Sequence, residues 1–293
     1  MTARRPASME FDQPVTLAAA VDAAARALRP SSPTARLDAE VLLRHASGLT
    51  LADAVAQPRR PLSDAIRAAF TALIERRRQG EPIAYITGRR EFWSLDLAVS
   101  PATLIPRPET ELLVEQALAR IPADAPSRIV DLGTGCGAIA LAIASERPRA
   151  RVMATDISEA ALAVARANAA RLGISNVEFR FGDWFVPLRT ERFDVVVSNP
   201  PYVVPEDPHL REGDLRFEPC VALVADGPDG LDAIRAIAST ARANLVPGGW
   251  LLLEHGLDQA PDVHGILARA GYVEIRSYKD LAGHDRTAIA RSR

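Results

Sequence analysis

Lysine is almost missing from this chain: of 35 basic residues, only Lys279 is not arginine. We attribute that to the base composition of the coding sequence rather than to function. Cysteine is scarce too, and Cys136 and Cys220 lie far apart, outside any metal-ligand spacing. No disulfide framework is expected, and the usage fits a reducing compartment, so a cytoplasmic protein is expected. The five histidines (His45, His209, His255, His264 and His284) make no H-x3-H or H-E-x-x-H pattern, so no metal is expected. No apolar run reaches the roughly 18 residues that would read as a membrane span. Met1 to Pro14 has two arginines but no apolar stretch of the kind a signal peptide carries. Met9 offers an alternative translation start, and the first fourteen residues are expected to be flexible. There is also no surplus of positive charge: the net is −2. Residues 1–80 carry 12 Arg against 8 acidic residues, a net of +4, and the remainder carries −6. A solvated helical face accounts for so mild an asymmetry, and direct nucleic-acid binding is not expected.

What is present suffices for two domains with a sizeable core: 293 residues, 48% of them hydrophobic. Residues 1–80 read as a helical domain. Thr16 is a plausible N-cap for a helix with Leu17, Val21, Ala24 and Leu28 on one face. A second helix from about residue 33 to 45 places Leu37, Val41 and Leu42 inward, and a short third covers 50–56. Leu62, Ile66, Phe70, Leu73 and Ile74 form a fourth stripe, closed by Arg76, Arg77 and Arg78, which complement the helix dipole, and by Gly80. The domain holds no catalytic constellation; it is either a partner-docking module or a structural lid. Residues 81–108 gather aromatic residues and then alternate, which predicts a β-hairpin linker. That segment stiffens in Leu104-Ile105-Pro106-Arg107-Pro108, because residues before proline avoid the helical region. Glu109 opens a helix and, with it, a domain covering 109–293.

From Arg128 onward, apolar strands alternate with helices. Strands are expected at 128–132, 151–156, 177–181, 193–198, 250–254, 272–278 and 286–291, and helices near 138–146, 158–172, 230–244 and 258–270. The pattern predicts an α/β fold with an open, largely parallel, doubly wound sheet and a ligand beyond the carboxyl ends of the strands. The first strand runs into Asp131-Leu132-Gly133-Thr134-Gly135-Cys136-Gly137. The spacing is G-x-G-x-G, not the G-x-G-x-x-G that cradles a pyrophosphate, which points to a nucleoside without phosphates. Asp156, at the end of the second strand, can accept both ribose hydroxyls or serve the helix start at Ser158. After the third strand, Asp183 can accept from an adenine amine and Trp184 can cover the ring; alternatively, Asp183 caps a turn and Trp184 is core. Cys136 reads as a small loop residue that meets the ligand through its backbone, and Cys220 as buried packing.

The fourth strand ends in Asn199-Pro200-Pro201-Tyr202. Two prolines fix the backbone and remove N–H donors, so the strand exit presents carbonyl oxygens, with the Asn199 side-chain oxygen beside them. The natural guest is a planar group bearing NH2, either a carboxamide or the exocyclic amine of a base. Such a nitrogen is a poor nucleophile. Holding both N–H bonds lets its lone pair be aimed, by orientation and electrostatic stabilisation rather than by a strong base. An adenosine-type ligand without pyrophosphate beside an NH2-binding cluster suggests S-adenosyl-L-methionine, with the sulfonium methyl facing Asn199.

These stretches, together with Gly80 to Tyr85, Leu104 to Glu111, Asp207 to Leu210, Arg216-Phe217-Glu218-Pro219, Leu253 to Gly256 and Gly283 to Arg286, carry a resemblance. Over nearly its whole length, apart from the first fourteen residues, the chain resembles the HemK-type protein-(glutamine-N5) methyltransferases that modify peptide chain release factors. The resemblance implies a helical N-terminal domain, a hairpin linker and a class I (Rossmann-like) methyltransferase domain. It implies methyl transfer from S-adenosyl-L-methionine to the glutamine of the Gly-Gly-Gln loop in release factors. Asn199 and the Pro200 carbonyl would hold the amide, with Pro201 beside them and Tyr202 shaping the pocket. The segment Ile105–Glu109 would lie near the methionine end of the cofactor. Gly133, Thr134, Gly135, Cys136, Gly137, Asp156, Asp183, Trp184 and Asn199 form the expected cofactor site, and a monomer is expected. Asn-Pro-Pro-Tyr alone is shared with adenine-N6 methyltransferases, but the acidic C-terminal part lacks the basic target region such enzymes need. A glutamine methyltransferase of a ribosomal protein would share the same site; the Arg216–Pro219 and Leu253–Gly256 stretches favour release factors. A silent nucleoside-binding regulator would have no use for Asn199 and both prolines, and the loop spacing disfavours a nicotinamide oxidoreductase.

Overall fold

The computed structural model of the protein describes residues 15–188 and 190–293. The expectation for the first fourteen residues lies outside them. The chain divides into two compact units between Thr87 and Gly88.

The first unit is helical: α1 (Leu17–Leu28), α2 (Ala35–Ser47), α3 (Leu51–Ala56), α4 (Asp64–Arg78) and α5 (Ile83–Thr87). Thr16 caps α1, accepting from the Ala19 N–H, and Leu17, Val21, Ala24 and Leu28 are all buried as the periodicity requires. In α2 the buried stripe is Ala35, Asp38, Ala39, Leu42 and Leu43. Leu37, expected inward, lies off that stripe and is 56% exposed. Arg77 departs from the dipole reading as well. Its Nε donates to Asp38 Oδ2 at 2.7 Å, and the hydroxyls of Ser32 (2.7 Å) and Thr34 (2.9 Å) donate to the same carboxylate. A buried charge pair therefore ties α4 to α2, in a core led by Leu28, Leu42 and Phe70. The boundary expected at residue 80 falls inside this unit, because 83–87 turn into α5 and bury Ala84, Tyr85 and Ile86.

The second unit opens with the hairpin, which is narrower than the 81–108 expected: β1 (Arg89–Phe92) and β2 (Leu95–Ala98). Its two-residue turn, Trp93-Ser94, has φ of 52° and 57°, the left-handed pair that Asn-Gly usually supplies. Side-chain acceptors hold it: Glu111 takes the Trp93 N–H at 2.9 Å and Glu91 takes the Ser94 N–H at 2.8 Å. A 3-10 turn at Pro108–Thr110 leads into α6 (Glu111–Leu118).

There follow β3 (Arg128–Leu132), α7 (Ala138–Glu146), β4 (Arg151–Asp156), α8 (Glu159–Leu172), β5 (Val177–Phe181), β6 (Phe193–Ser198), the one-turn α9 (Cys220–Leu223), α10 (Asp232–Asn244), β7 (Leu245–Glu254), α11 (Ala260–Arg269), β8 (Val273–Lys279) and β9 (Asp285–Arg291). The seven strands lie in the order β5-β4-β3-β6-β7-β9-β8, with β9 antiparallel to both its neighbours and the other pairings parallel. Strands β3 and β6 are covered on both faces, which is why they read as continuous apolar runs. Val130, Leu132, Val196, Leu251 and Leu253 meet Ile234, Ile237 and Leu267 in the core beneath. Strand order reverses between β3 and β6, so the glycine loop and Asn199-Pro200-Pro201-Tyr202 leave the sheet side by side at its switch point. Cys220 corrects its expectation: it begins α9 and is exposed.

Candidate active site

The glycine loop is held from below by two carboxylates. Asp131, fully buried at the end of β3, accepts the Thr134 hydroxyl (2.7 Å) and the Ala140 N–H (3.2 Å) on Oδ2. Burial pushes its carboxyl up to about 7 against those bonds. Asp156 accepts the Gly135 N–H on one oxygen and the Ser158 N–H on the other, each at 2.8 Å, and burial raises it too. It thus anchors the loop to the start of α8 while keeping further acceptor capacity for a ligand. Gly135 has φ of +58°, and a Cβ there would meet no atom within 4 Å, so a side chain would project into the cavity that this residue lines. Asn168 of α8 locks the loop to the hairpin. Its Nδ2 donates to the carbonyls of Cys136 (2.9 Å) and Ala98 (3.0 Å), and its Oδ1 accepts the Ala98 N–H (2.7 Å). The Cys136 thiol is buried and pushed up to about 12 by desolvation, which makes it packing rather than a nucleophile.

The cavity has a volume of about 470 Å³, inside the roughly 300–1,000 Å³ of small-molecule sites. Its wall includes Gly133, Asp156, Asp183 and Trp184 together with Pro106, Arg107, Thr110, Asn199 and Pro201. Asp183 is exposed there. Trp184 serves both readings at once: it lines the cavity and packs on the core cluster. Its ring covers Gly133, where a Cβ would approach it to 3.3 Å.

Asn199 donates from Nδ2 to Thr110 Oγ1 at 3.2 Å. Tyr202 donates its hydroxyl to Glu254 Oε1 at 3.3 Å, and its carbonyl accepts Gln259 Nε2 at 3.1 Å. Glu254, fully buried at the end of β7, is raised to about 7 by desolvation. Arg107 forms an ion pair with the buried Glu218, whose second oxygen accepts the Ile105 N–H at 2.9 Å. The proline-stiffened segment and the Arg216–Pro219 stretch, distant in sequence, are therefore fastened together at the cavity rim. Past Tyr202 the chain is pinned at Val203, whose N–H meets the Leu223 carbonyl at 2.9 Å.

Residues 19–88 match the family described as PrmC N-terminal domain, and residues 108–212 match the methyltransferase small domain. A release factor glutamine methyltransferase from Xylella fastidiosa is 54% identical over 256 residues, 87% of this chain and 93% of that protein. One from Escherichia coli is 49% identical over 261 residues, 89% and 94% of the two chains. The chain belongs to the release factor glutamine methyltransferase family. Among solved structures, a T. thermophilus 16S rRNA methyltransferase in complex with AdoMet and guanosine aligns at a TM-score of 0.53, with 20% identity, covering 70% of this chain and 50% of that one. A Pyrococcus furiosus methyltransferase aligns at 0.51, with 20% identity, covering 67% and 88%. At that identity the likeness concerns the methyltransferase fold alone.

In this member of the release factor glutamine methyltransferase family, one cavity gathers Gly133, Thr134, Gly135, Cys136, Asp156, Asp183, Trp184, Asn199 and Pro201. Gly137, Pro200 and Tyr202 are not among the residues that line it. Gly137 has φ of +88° and starts α7, where a Cβ would press on Leu141 at 3.0 Å. Reading the sequence missed Asn168 as part of the site and treated Thr110, Glu218 and Glu254 only as parts of motifs. Their signal was available only as polar residues inside apolar surroundings: Glu254 ends an apolar strand and Asn168 sits among alanines. Nothing in the spacing said what they would touch.

Proposed function

We propose that this protein transfers the methyl group of S-adenosyl-L-methionine to the side-chain amide nitrogen of the glutamine in the Gly-Gly-Gln motif of peptide chain release factors, acting as a cytoplasmic monomer. The observation that carries the reading is Asn199: its NH2 end is engaged by Thr110, while the residue itself faces the cavity beside the glycine loop. Its oxygen is left to receive an NH2 group.

The residues present fit the cofactor. Asp156 and Asp183 offer acceptors for hydroxyl and amine groups, Trp184 offers a flat apolar face, and Gly135 lets a ligand meet the backbone. When bound, the cofactor supplies an electrophilic methyl group. The protein's own contribution is to hold the substrate amide. Asn199 Oδ1 and the proline-locked carbonyls accept its N–H bonds, which draws the lone pair out of conjugation and stabilises the positive charge that builds on nitrogen. As the N–C bond formed and the methyl–sulfur bond of the cofactor broke to leave a neutral thioether, the nitrogen would become acidic, and one of its two protons would pass to water. The Arg107–Glu218 pair keeps the Leu104–Glu111 segment in place along the cavity. The test is mass spectrometry of a release factor incubated with the protein and S-adenosyl-L-methionine. One added methyl on the Gly-Gly-Gln glutamine is expected, absent with Asn199→Ala although that variant still binds cofactor. Modification of a ribosomal-protein glutamine instead, or wild-type turnover by Asn199→Ala, would overturn the reading.

A further inference from the structure

Asn199 and the Pro200 carbonyl can hold an amide at a fixed place only if the whole row from Asn199 to Tyr202 keeps its pose. The two prolines fix φ, but they leave ψ free and carry no N–H with which to tie the row down. At one end the row is set by β6. Beyond the prolines it is tied at Tyr202, whose carbonyl accepts Gln259 Nε2 at 3.1 Å.

Gln259 stands at the start of α11, and its own backbone is held there. Its carbonyl accepts the Val263 N–H at 3.0 Å, and its N–H donates to the Gly256 carbonyl at 3.1 Å. Its side chain is spent on the main chain of three separate segments. Nε2 donates to the carbonyls of Tyr202, at the β6 exit, and of Asp229 (3.0 Å), before α10; Oε1 accepts the Gly256 N–H (2.8 Å), after β7. These partners decide which way the amide faces, because a flipped side chain would set its oxygen against two carbonyls. Two glycines leave room for the knot. A Cβ on Gly230, where φ is +70°, would collide with the Tyr202 carbonyl, and one on Gly256 would come within 2.9 Å of Gln259 Oε1. Gln259 is not among the residues that line the cavity, but the Asp229 loop it holds leads into α10, whose Asp232, Ala233 and Ala236 are.

We infer that Gln259 is a positioning residue for methyl transfer, which aims the Asn199–Tyr202 row by holding the Tyr202 carbonyl. The inference rests on the reading of Asn199 and Pro200 as receivers of the glutamine amide. With φ fixed at 200 and 201, a shift of the Tyr202 peptide is carried back along the row instead of being absorbed in it. A displacement of about 1 Å is enough to cost on the order of 100-fold in rate. The chain past the row has ties of its own: the Val203 N–H donates to the Leu223 carbonyl at 2.9 Å, and its carbonyl accepts the Ala225 N–H at 3.0 Å. Loss of the Gln259 amide therefore moves the Tyr202 peptide without releasing the segment.

The experiment compares wild type, Gln259→Met and Gln259→Glu as full chains at pH 8, with a release factor as substrate. It reads kcat and KM for the release factor, and cofactor affinity by calorimetry. Methionine matches the length of glutamine and makes none of its bonds. Glutamate keeps an acceptor for the Gly256 N–H but, when ionised, has no donor for Tyr202 or Asp229. Both variants should lose about 10- to 100-fold in kcat, with KM and cofactor affinity each held within about threefold, and glutamate should be no faster than methionine. Wild-type kcat in either variant would overturn the inference. So would a loss seen only as a higher KM, or one matched by lost cofactor affinity, which marks a merely structural role. The underlying reading fails separately: in that case wild type methylates no release-factor glutamine, or Asn199→Ala stays active.

Discussion

Replacing Glu254 by Gln should make the protein more stable at pH 8 and leave it nearly unchanged at pH 5. In the fold this carboxyl titrates at about 7, against an ordinary 4.5. Because the folded value lies above the unfolded one, the group favours the fold while protonated. That contribution is complete below about pH 4.5 and is lost as pH rises through 7. The gap corresponds to about 3 kcal/mol by pH 8. Glutamine does not ionise, and its carbonyl can still accept from Tyr202. Glu254→Gln should therefore gain about 3 kcal/mol at pH 8, or roughly 6–12 °C in Tm for a unit of this size, and stay within about 1 kcal/mol of wild type at pH 5. Asp131 is also raised to about 7, but it is common to both proteins and cancels in the difference. Urea denaturation of the pair at the two pH values reads the effect directly. An equal difference at both, or a variant that is less stable at pH 8, would refute the reasoning.

Asp156→Ala should weaken cofactor affinity by about 10- to 150-fold, the equivalent of roughly 1.5–3 kcal/mol for a lost charge-assisted acceptor, with a smaller change in turnover at saturating cofactor; unchanged calorimetric affinity would count against it. Arg77→Ala leaves Asp38 buried with two hydroxyls and no cation, and should destabilise the helical unit by about 3–5 kcal/mol in urea denaturation; a loss below about 1 kcal/mol would show that the pair is dispensable. Glu218→Gln loosens Arg107 and the Ile105 N–H together, and should lower stability by about 1–3 kcal/mol and weaken cofactor binding in the same protein; a variant affected in neither would disconnect this pair from the cavity.

The strand and helix order of the second unit was legible because each element carries its own period. The buried runs of β3 and β6 and the glycine and proline punctuation between elements are local signals. What escaped was set by contacts between distant residues. The hairpin turn at Trp93-Ser94 has none of the usual turn residues; it exists because Glu111, seventeen residues beyond Ser94, accepts the Trp93 N–H. Residues 83–87 look like the start of the hairpin by composition, yet burying Tyr85 and Ile86 makes them helical. Leu37 is apolar and exposed, and Asp38 beside it is charged and buried, because the α2 stripe is decided by where Arg77 stands. In the site, the residues that face the cavity announced themselves through unusual backbone chemistry. Those that hold them in place did not.

That division has a physical basis. Backbone-shaping residues such as Gly135 or Pro200 act through their own φ and their own missing groups, so their role is written at one position. Supporting residues such as Thr110, Asn168, Glu218 and Glu254 act only through a partner brought from elsewhere in the chain. Two of the supports under the switch point, Asp131 and Glu254, are buried carboxyls raised to about 7. Each opposes folding by a few kcal/mol once ionised. Amide or alcohol side chains would avoid that penalty, but they carry donors and could turn either way. An anion cannot. Asp131 fixes a hydroxyl and an N–H of the glycine loop, and Glu254 accepts the hydroxyl of Tyr202. The two loops that leave the sheet side by side are thus each set on an acceptor whose direction cannot reverse while it stays ionised. If aiming a weak nucleophile is the main task of this site, the stability given up at β3 and β7 is what keeps the aim fixed.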